Sequence, residues 1–275
     1  VLIDAHQHFW RVGRNGFAWP TPDLAAIHRD FGPADLEAIG ARLGLAGSVL
    51  VQSQADDRDT DWLLELAADE PLVLGVVGWA DLGAPGAPAR IAELARRPKL
   101  RGLRPMLQNL DDDAWIVRPS LDPALDAMIA HGLSLDALVL TPHLPHLLTL
   151  ARRRPDLAIV IDHGAKPPIA TGEQAEAWTR GVDALAALPQ VFCKLSGLLT
   201  EASPSQAPDA LAPYVRRLVS AFGPDRLMWG SDWPVLDLAG DYGGWLVLAK
   251  SLSGLTDPAD LAALFGGTCR RFYRI

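Results

Sequence analysis

The 275-residue sequence predicts an α/β fold, a (β/α)8 TIM barrel, on three observations. Eight apolar runs of strand length recur along the chain. Stretches rich in Ala, Leu, Arg and Glu with helical periodicity separate them. No Pro/Gly/Ser-rich linker divides the chain, so residues 1–275 read as a single domain. Strands that are apolar on both faces and separated by helices form a parallel sheet covered by helices, and eight such units in about 250 residues close into a barrel. A doubly wound open sheet is the structural rival.

The strands are expected at residues 1–8, 47–54, 72–81, 100–107, 133–140, 157–164, 191–197 and 226–233. Helices are expected at 34–43, 60–69, 87–96, 123–130, 142–153, 173–188 and 208–222, with a last helical region over 242–265. Several of these begin with Pro, Asp or Thr in the first turn, where the missing or unpaired backbone N–H is tolerated or capped.

Composition narrows the function classes. Hydrophobic residues make up 49% and charged residues 21%, ordinary for a globular enzyme. A net charge of −8 argues against a nucleic-acid partner, which needs a basic surface. Cys193 and Cys269 are the two cysteines, too few for a disulfide framework or a cysteine zinc cluster. No apolar stretch reaches about 18 residues without a charge or proline, and no signal-sequence pattern opens the chain, so the expectation is a cytoplasmic protein without a membrane partner.

In such barrels the active site gathers at the C-terminal ends of the strands, so a polar residue ending an apolar strand is a functional candidate. His6 and His8 end the first strand. Two residues apart on a strand, they project from one side with Cβ atoms roughly 6.5–7 Å apart, and both imidazoles can converge on one ion or oxygen. His163 ends the sixth strand and Asp232 the eighth, while Lys194 sits late in the seventh and is one of only four lysines. A buried lysine is costly unless paired or used. Closure makes the eighth strand the neighbour of the first, which brings Asp232 beside the histidine pair. Strict alternation gives Asp162 the face opposite to His163, pointing outward.

Other polar residues carry weaker signals. His28, His131, His143 and His146 fall in loops or helices, with His28 and His143 the candidates to approach a strand-end loop. Asp111, Asp112 and Asp113 read as a solvated acidic loop. Among nine tryptophans, Trp79 and Trp229 read as packing, whereas Trp19, Trp115 and Trp233 lie in rim loops, where an aromatic face can stack on a sugar ring.

Six motifs resemble one family. They are His6-Gln7-His8-Phe9-Trp10, His28-Arg29-Asp30-Phe31, Gly102-Leu103-Arg104-Pro105, Asp162-His163-Gly164-Ala165-Lys166-Pro167, Cys193-Lys194-Leu195-Ser196-Gly197-Leu198 and Met228-Trp229-Gly230-Ser231-Asp232-Trp233-Pro234. In this order, from Leu2 to the closing Phe265-Gly266-Gly267 and Arg271-Phe272-Tyr273, they are similar to the sugar-lactonase branch of the amidohydrolase superfamily. That branch includes L-fucono- and L-rhamnono-lactonases and is related to 2-pyrone-4,6-dicarboxylate lactonase.

The resemblance implies an amidohydrolase-like barrel that hydrolyses a lactone ring to a hydroxy acid. Asp232 matches the general base. His6, His8 and His163 match residues that surround the carbonyl or, with Asp232, bind a metal, and Lys194 matches a motif lysine expected at the carbonyl or oxyanion. Three imidazoles and a carboxylate make a site for one divalent ion, Zn or Mn. No lysine lies in the fourth strand, where binuclear relatives carry a carboxylated one, so a single metal is expected. Arg104, Gln52, Gln108, Trp19, Trp115 and His28 are the expected substrate contacts. Two departures from the fuconolactonase pattern, at Arg104-Pro105 and at Thr141-Pro142-His143-Leu144, fall at the rim and bear on the sugar rather than the chemistry. The alternatives are a mononuclear metal-dependent decarboxylase of the same superfamily and a non-catalytic sugar-binding barrel.

Overall fold

The computed structural model describes residues 1–206 and 208–275. Eight strands form one sheet in chain order: β1 (Leu2–Gln7), β2 (Leu45–Val51), β3 (Val73–Gly78), β4 (Leu100–Leu103), β5 (Ser134–Ala137), β6 (Ile159–Ile161), β7 (Val191–Leu195) and β8 (Leu227–Trp229). Each pairs in parallel with the next. The barrel closes just beyond β8, where Asp232 N donates to His6 O and His8 N donates to Trp233 O, both at 2.8 Å. The main chain of the eighth strand's rim is thereby stitched to the histidine pair.

The surrounding helices are α1 (Pro33–Leu43), α2 (Asp57–Ala68), α3 (Ala87–Leu94), α4 (Asp122–Ala130), α5 (Leu144–Arg153), α6 (Ala175–Ala186), α7 (Ala212–Phe222) and α8 (Tyr242–Ser253). Two short helices follow, α9 (Pro258–Ala262) and α10 (Thr268–Tyr273). The single helical region expected over 242–265 is therefore divided. Gly254 takes φ 66°, which ends α8, and Pro258 opens α9 at a position where its missing N–H costs nothing. Among the described residues no helix is long and apolar enough to cross a membrane.

All eight expected strands are present, but each stops short of its expected C-terminal limit. The lost residues are the rim, where the backbone leaves extended geometry and polar residues such as His8, Gln52, Arg104, His163 and Asp232 follow the apolar strands. Two cores flank the sheet. Outward residues such as Leu50, Leu103, Ile159 and Ile161 pack against the helices. Inside the barrel, Val49, Val51, Val77, Val160 and Met228 pack with Cys269, Phe272 and Tyr273. The last three belong to α10, which plugs the barrel interior.

One irregularity in β1 shapes the site. Asp4 pairs with Ser48 and Gln7 with Leu50, so three steps on β1 match two on β2, the signature of a bulge. Ile3 and Ala5 face the barrel interior, Asp4 faces out, and the bulge then turns His6 inward beside its neighbour Ala5. The outward Asp4 accepts from Ser231 N at 2.8 Å, Ser231 Oγ at 2.5 Å and Tyr242 Oη at 2.8 Å, which ties β1 to the loop carrying Asp232 and to α8.

Candidate active site

Asp232 is the focus of the rim. Its Oδ1 lies 3.3 Å from His8 Nε2, 3.7 Å from His6 Nε2 and 3.8 Å from His163 Nε2. The two strand-one Nε2 atoms are 3.1 Å apart. Asp232 adopts φ 59°, a left-handed conformation that Asp tolerates better than most residues and that swings its carboxylate over the barrel mouth. Gly230 allows the close approach, since a Cβ there would lie 2.9 Å from His6 Cβ. The indole N–H of Trp245 on α8 donates to Gly230 O at 2.9 Å and fixes the turn from outside.

His163 reaches the same place by another route. The strand ends at Ile161, and His163, Gly164, Ala165 and Lys166 all take positive φ, from 46° to 62°. Trp178 on α6 donates to Gly164 O at 2.8 Å, so the unusual turn is braced. His163 Nδ1 lies 2.9 Å from Ser196 Oγ, and Gly197 leaves room for the ring, because a Cβ there would come 2.6 Å from His163 Nδ1.

This geometry corrects the expected direction of Asp162. Val160 faces the interior, so the alternation itself carries Asp162 inward, and His163 joins it only because the backbone turns left-handed. Asp162 is fully buried, with Oδ1 2.9 Å from Lys194 Nζ and 3.4 Å from His6 Nδ1, and Oδ2 3.3 Å from Arg104 Nη1.

Lys194 sits late in β7, as expected, but one layer below the rim, and is fully buried. Its Nζ meets Asp136 Oδ2 at 2.7 Å, Asp162 Oδ1 at 2.9 Å and His6 Nδ1 at 3.2 Å. Among the described residues it does not line the cavity above the histidines. It sits behind His6, so the expected direct contact with a substrate carbonyl gives way to a supporting position.

Electrostatics follow from this packing. Burial disfavours the charge on Asp232, but His163, His8 and His6 outweigh it and hold the carboxyl below the usual carboxylate range. Burial pushes His163 down to about 4. Burial and the Lys194 ammonium push His6 well below its ordinary value. At neutral pH the Asp232 carboxylate therefore faces uncharged imidazoles at His6 and His163. Burial also opposes the charge on Lys194, yet Asp136 and Asp162 raise its pKa, so the ammonium persists.

The donor set fits a divalent ion. A tetrahedral ion with bonds of about 2.0–2.1 Å has ligand-to-ligand edges of roughly 3.3–3.4 Å, and the edges among His6, His8 and Asp232 run from 3.1 to 3.7 Å. His8 Nδ1 lies 2.7 Å from Val51 O and must donate to it, which leaves the Nε2 lone pair aimed at the cluster. His6, His8 and Asp232 form one candidate metal-binding group, and His163 stands at its edge.

Above the cluster opens a cavity of about 580 Å³. Of the expected contacts, Trp19, Arg104 and Gln108 line it, together with His8, His163 and Asp232. Gln52 does not: it is fully buried behind Arg104, donating Nε2 to Arg104 O at 2.9 Å while Arg104 Nη2 donates to Gln52 O at 2.5 Å. Its function is to fix the arginine. Trp115 is also displaced, because its short 3-10 turn packs on α5 and beside Gly83 of the loop before α3. His28 is half-buried beside the fully buried Ile27 and is not among the residues lining the cavity. His143 likewise stays off the cavity, accepting from Leu140 N at 3.1 Å with Nε2 3.5 Å from Asp113.

Sequence reading missed Lys166, Glu201 and Met106, which line the cavity. Lys166 had a usable signal, as one of four lysines and a neighbour of the His163 turn. Glu201 had none, since its approach depends on how the loop after β7 folds.

Comparison with known proteins places this geometry in context. The amidohydrolase family model matches residues 3–275. An L-fucono-1,5-lactonase of Burkholderia ambifaria is 54% identical over 99% of this chain and 95% of its own. An L-fucono-1,5-lactonase of Burkholderia multivorans is 37% identical over 100% of this chain and 96% of its own. The crystal structure of an amidohydrolase from Burkholderia multivorans with bound zinc superposes with a TM-score of 0.94 at 36% identity, covering 100% of this chain and 99% of that one. With the family model matching residues 3–275 and a relative 54% identical over 99% of this chain, this chain belongs to the amidohydrolase family.

Proposed function

We propose that this protein is a hydrolase that opens the ring of a sugar lactone, with a six-membered 1,5-aldonolactone of the L-fucono type as the substrate class. The observation that carries the reading is Asp232: an ionised carboxylate, buried and ringed by three imidazoles, at the floor of a cavity open enough for one sugar ring. The lactonase names of the 54% and 37% identical relatives support the same substrate class.

Asp232 takes a proton from the water that attacks the lactone carbonyl carbon. The carbonyl oxygen becomes an oxyanion, and the Arg104 guanidinium at the cavity wall stabilises that charge. Collapse breaks the bond between the carbonyl carbon and the ring oxygen, and the proton held by Asp232 passes to the departing alkoxide, giving the hydroxy acid. His163 borders the reacting carbonyl, while Lys194 acts through His6 by holding its ring. A divalent ion, zinc or manganese, held by His6, His8 and Asp232 with His163 adjacent, would supply Lewis-acid polarisation of the carbonyl.

The cavity charges favour this reading over decarboxylation. Arg104 is paired with Asp162, and Lys166 with Glu201. No cation among the described lining residues is left without a carboxylate partner, so a substrate carboxylate finds no counter-ion, whereas a neutral lactone needs none. The buried, unpaired Cys193 and Cys269 suit a reducing compartment, and we place the protein in the cytoplasm with a small neutral molecule as its partner.

A pH-indicator assay against a panel of aldono-1,4- and 1,5-lactones, with and without chelator, tests the reading. Acid release confined to one stereochemical series is expected. A folded protein that releases no acid from any lactone would sink the proposal and return weight to decarboxylation.

A further inference from the structure

The turn that brings His163 to the site delivers a second side chain. Its four left-handed residues end at Lys166, whose N donates to His163 O at 2.8 Å, so the ammonium and the imidazole are placed by one braced segment. Lys166 Nζ lies 3.2 Å from Glu201 Oε1, contributed by the 3-10 turn Leu199–Glu201 after β7. Glu201 is itself fixed from behind, since its carbonyl accepts from Ala170 N at 3.0 Å. Both residues line the cavity with Asp232, and their side chains are 24% and 23% exposed: desolvated enough to matter, open enough to reach.

A charged pair at the wall of a cavity for a neutral substrate calls for an explanation. The acid and base chemistry described above does not use it. A polyol ring offers hydroxyls that donate and accept at once, and a carboxylate beside an ammonium offers the complementary pattern through charge-assisted hydrogen bonds. The neighbouring Thr200 hydroxyl donates its proton to Gly197 O at 2.9 Å, which leaves it only acceptor capacity toward a ligand. Elsewhere the lining is apolar at Trp19, Met106, Leu138 and Val235, suited to ring carbons, and neutral polar at Ser53, Gln108 and Asn109, so the pair supplies the charged hydrogen-bonding groups on its side of the cavity.

We propose that the Lys166–Glu201 pair is the specificity-determining element of the cavity, Glu201 accepting from and Lys166 donating to hydroxyls on the lactone ring. The proposal rests on the lactonase reading and deepens it. A site built to hydrogen-bond a hydroxyl rejects a substrate that misplaces it, because the desolvated pair is then left unsatisfied. Glu201 also repels a substrate carboxylate.

The test measures kcat/KM for the unaltered protein, Glu201→Gln and Lys166→Met across 1,5-aldonolactones that differ in configuration at single ring carbons. The preferred lactone should lose about 10–100-fold, chiefly through KM. Epimers inverted at the hydroxyl that the pair reads should lose at least roughly tenfold less, so that discrimination collapses. An equal loss on every lactone would mark the pair as a clasp between two loops and overturn the proposal, as would unchanged discrimination. Turnover of no lactone by the unaltered protein would overturn the functional reading and this pair's role together, whereas turnover with uniform loss in the variants would overturn the pair's role alone.

Discussion

Lys194 reaches His6 and stops there: its Nζ lies 3.2 Å from Nδ1 of that ring, on the side away from the cavity. The same ammonium pairs with Asp136 and Asp162, and Tyr273 of the α10 plug donates its hydroxyl to Asp136 Oδ2 at 2.5 Å. A buried polar column therefore runs from the plug inside the barrel to the histidines at its mouth. Replacing Lys194 with Met leaves the buried Asp136 carboxylate without a cation and Asp162 with Arg104 alone. The expected loss of stability is about 3–5 kcal/mol, read by urea unfolding of the variant against the unaltered protein. A loss below about 1 kcal/mol would show that the column is not ionised as described.

Asp232→Asn retains the shape of the carboxylate and removes its basicity. Lactone turnover should fall by about 10²–10⁴ in kcat, the usual contribution of a general base, while the melting temperature stays near that of the parent. Retained turnover would move the base elsewhere. Loss of substrate binding along with turnover would indicate that Asp232 also holds the substrate directly.

His163 links stability to pH. Its folded-state pKa of about 4 lies below the ordinary value near 6.5, so between those limits the unfolded chain binds the extra proton. Stability should rise with pH across that window, be complete above about 6.5 and be lost on acidification through about 4. The contribution is about 3 kcal/mol at full effect. Urea unfolding of metal-free protein at pH 4.5 and 7, compared with His163→Asn, isolates it. Parallel pH dependences would refute the buried neutral imidazole.

Metal content is directly measurable. One zinc or manganese ion per chain is expected after dialysis against the salt, and His8→Asn should abolish stoichiometric binding at micromolar metal. Undiminished binding by that variant would place the ion outside the set formed by His6, His8 and Asp232.

The two rim tryptophans should separate cleanly. Trp19→Ala removes a cavity wall and is expected to raise KM about tenfold, a loss of the order of 1.4 kcal/mol, with little change in melting temperature. Trp115→Ala removes packing against the hydrophobic core beside Gly83 and should lower stability while leaving KM unchanged. The opposite pattern would contradict the placement of both side chains.

The barrel, its strand order and the rim positions of His6, His8, His163 and Asp232 were legible in the amino-acid order, because apolar periodicity and chain closure are local or topological properties that survive without coordinates. That order also carried the family motifs from Leu2 to Tyr273. The folded chain settled that Asp162 shares the interior face of Val160, that Lys194 supports rather than touches the cavity, that Gln52 braces Arg104, and that Trp115 and His28 do not line the cavity. Asp162 follows alternation once Val160 is seen to face inward; the positions of His6, His163 and Lys194 depend on a bulge in β1, a left-handed turn after β6 and the depth of a residue along its strand. Alternation encodes none of these three, since each arises from which neighbouring backbone and side chains fill the space. Lys166 and Glu201 show the same limit: 35 positions apart, they meet only because two rim loops fold against each other.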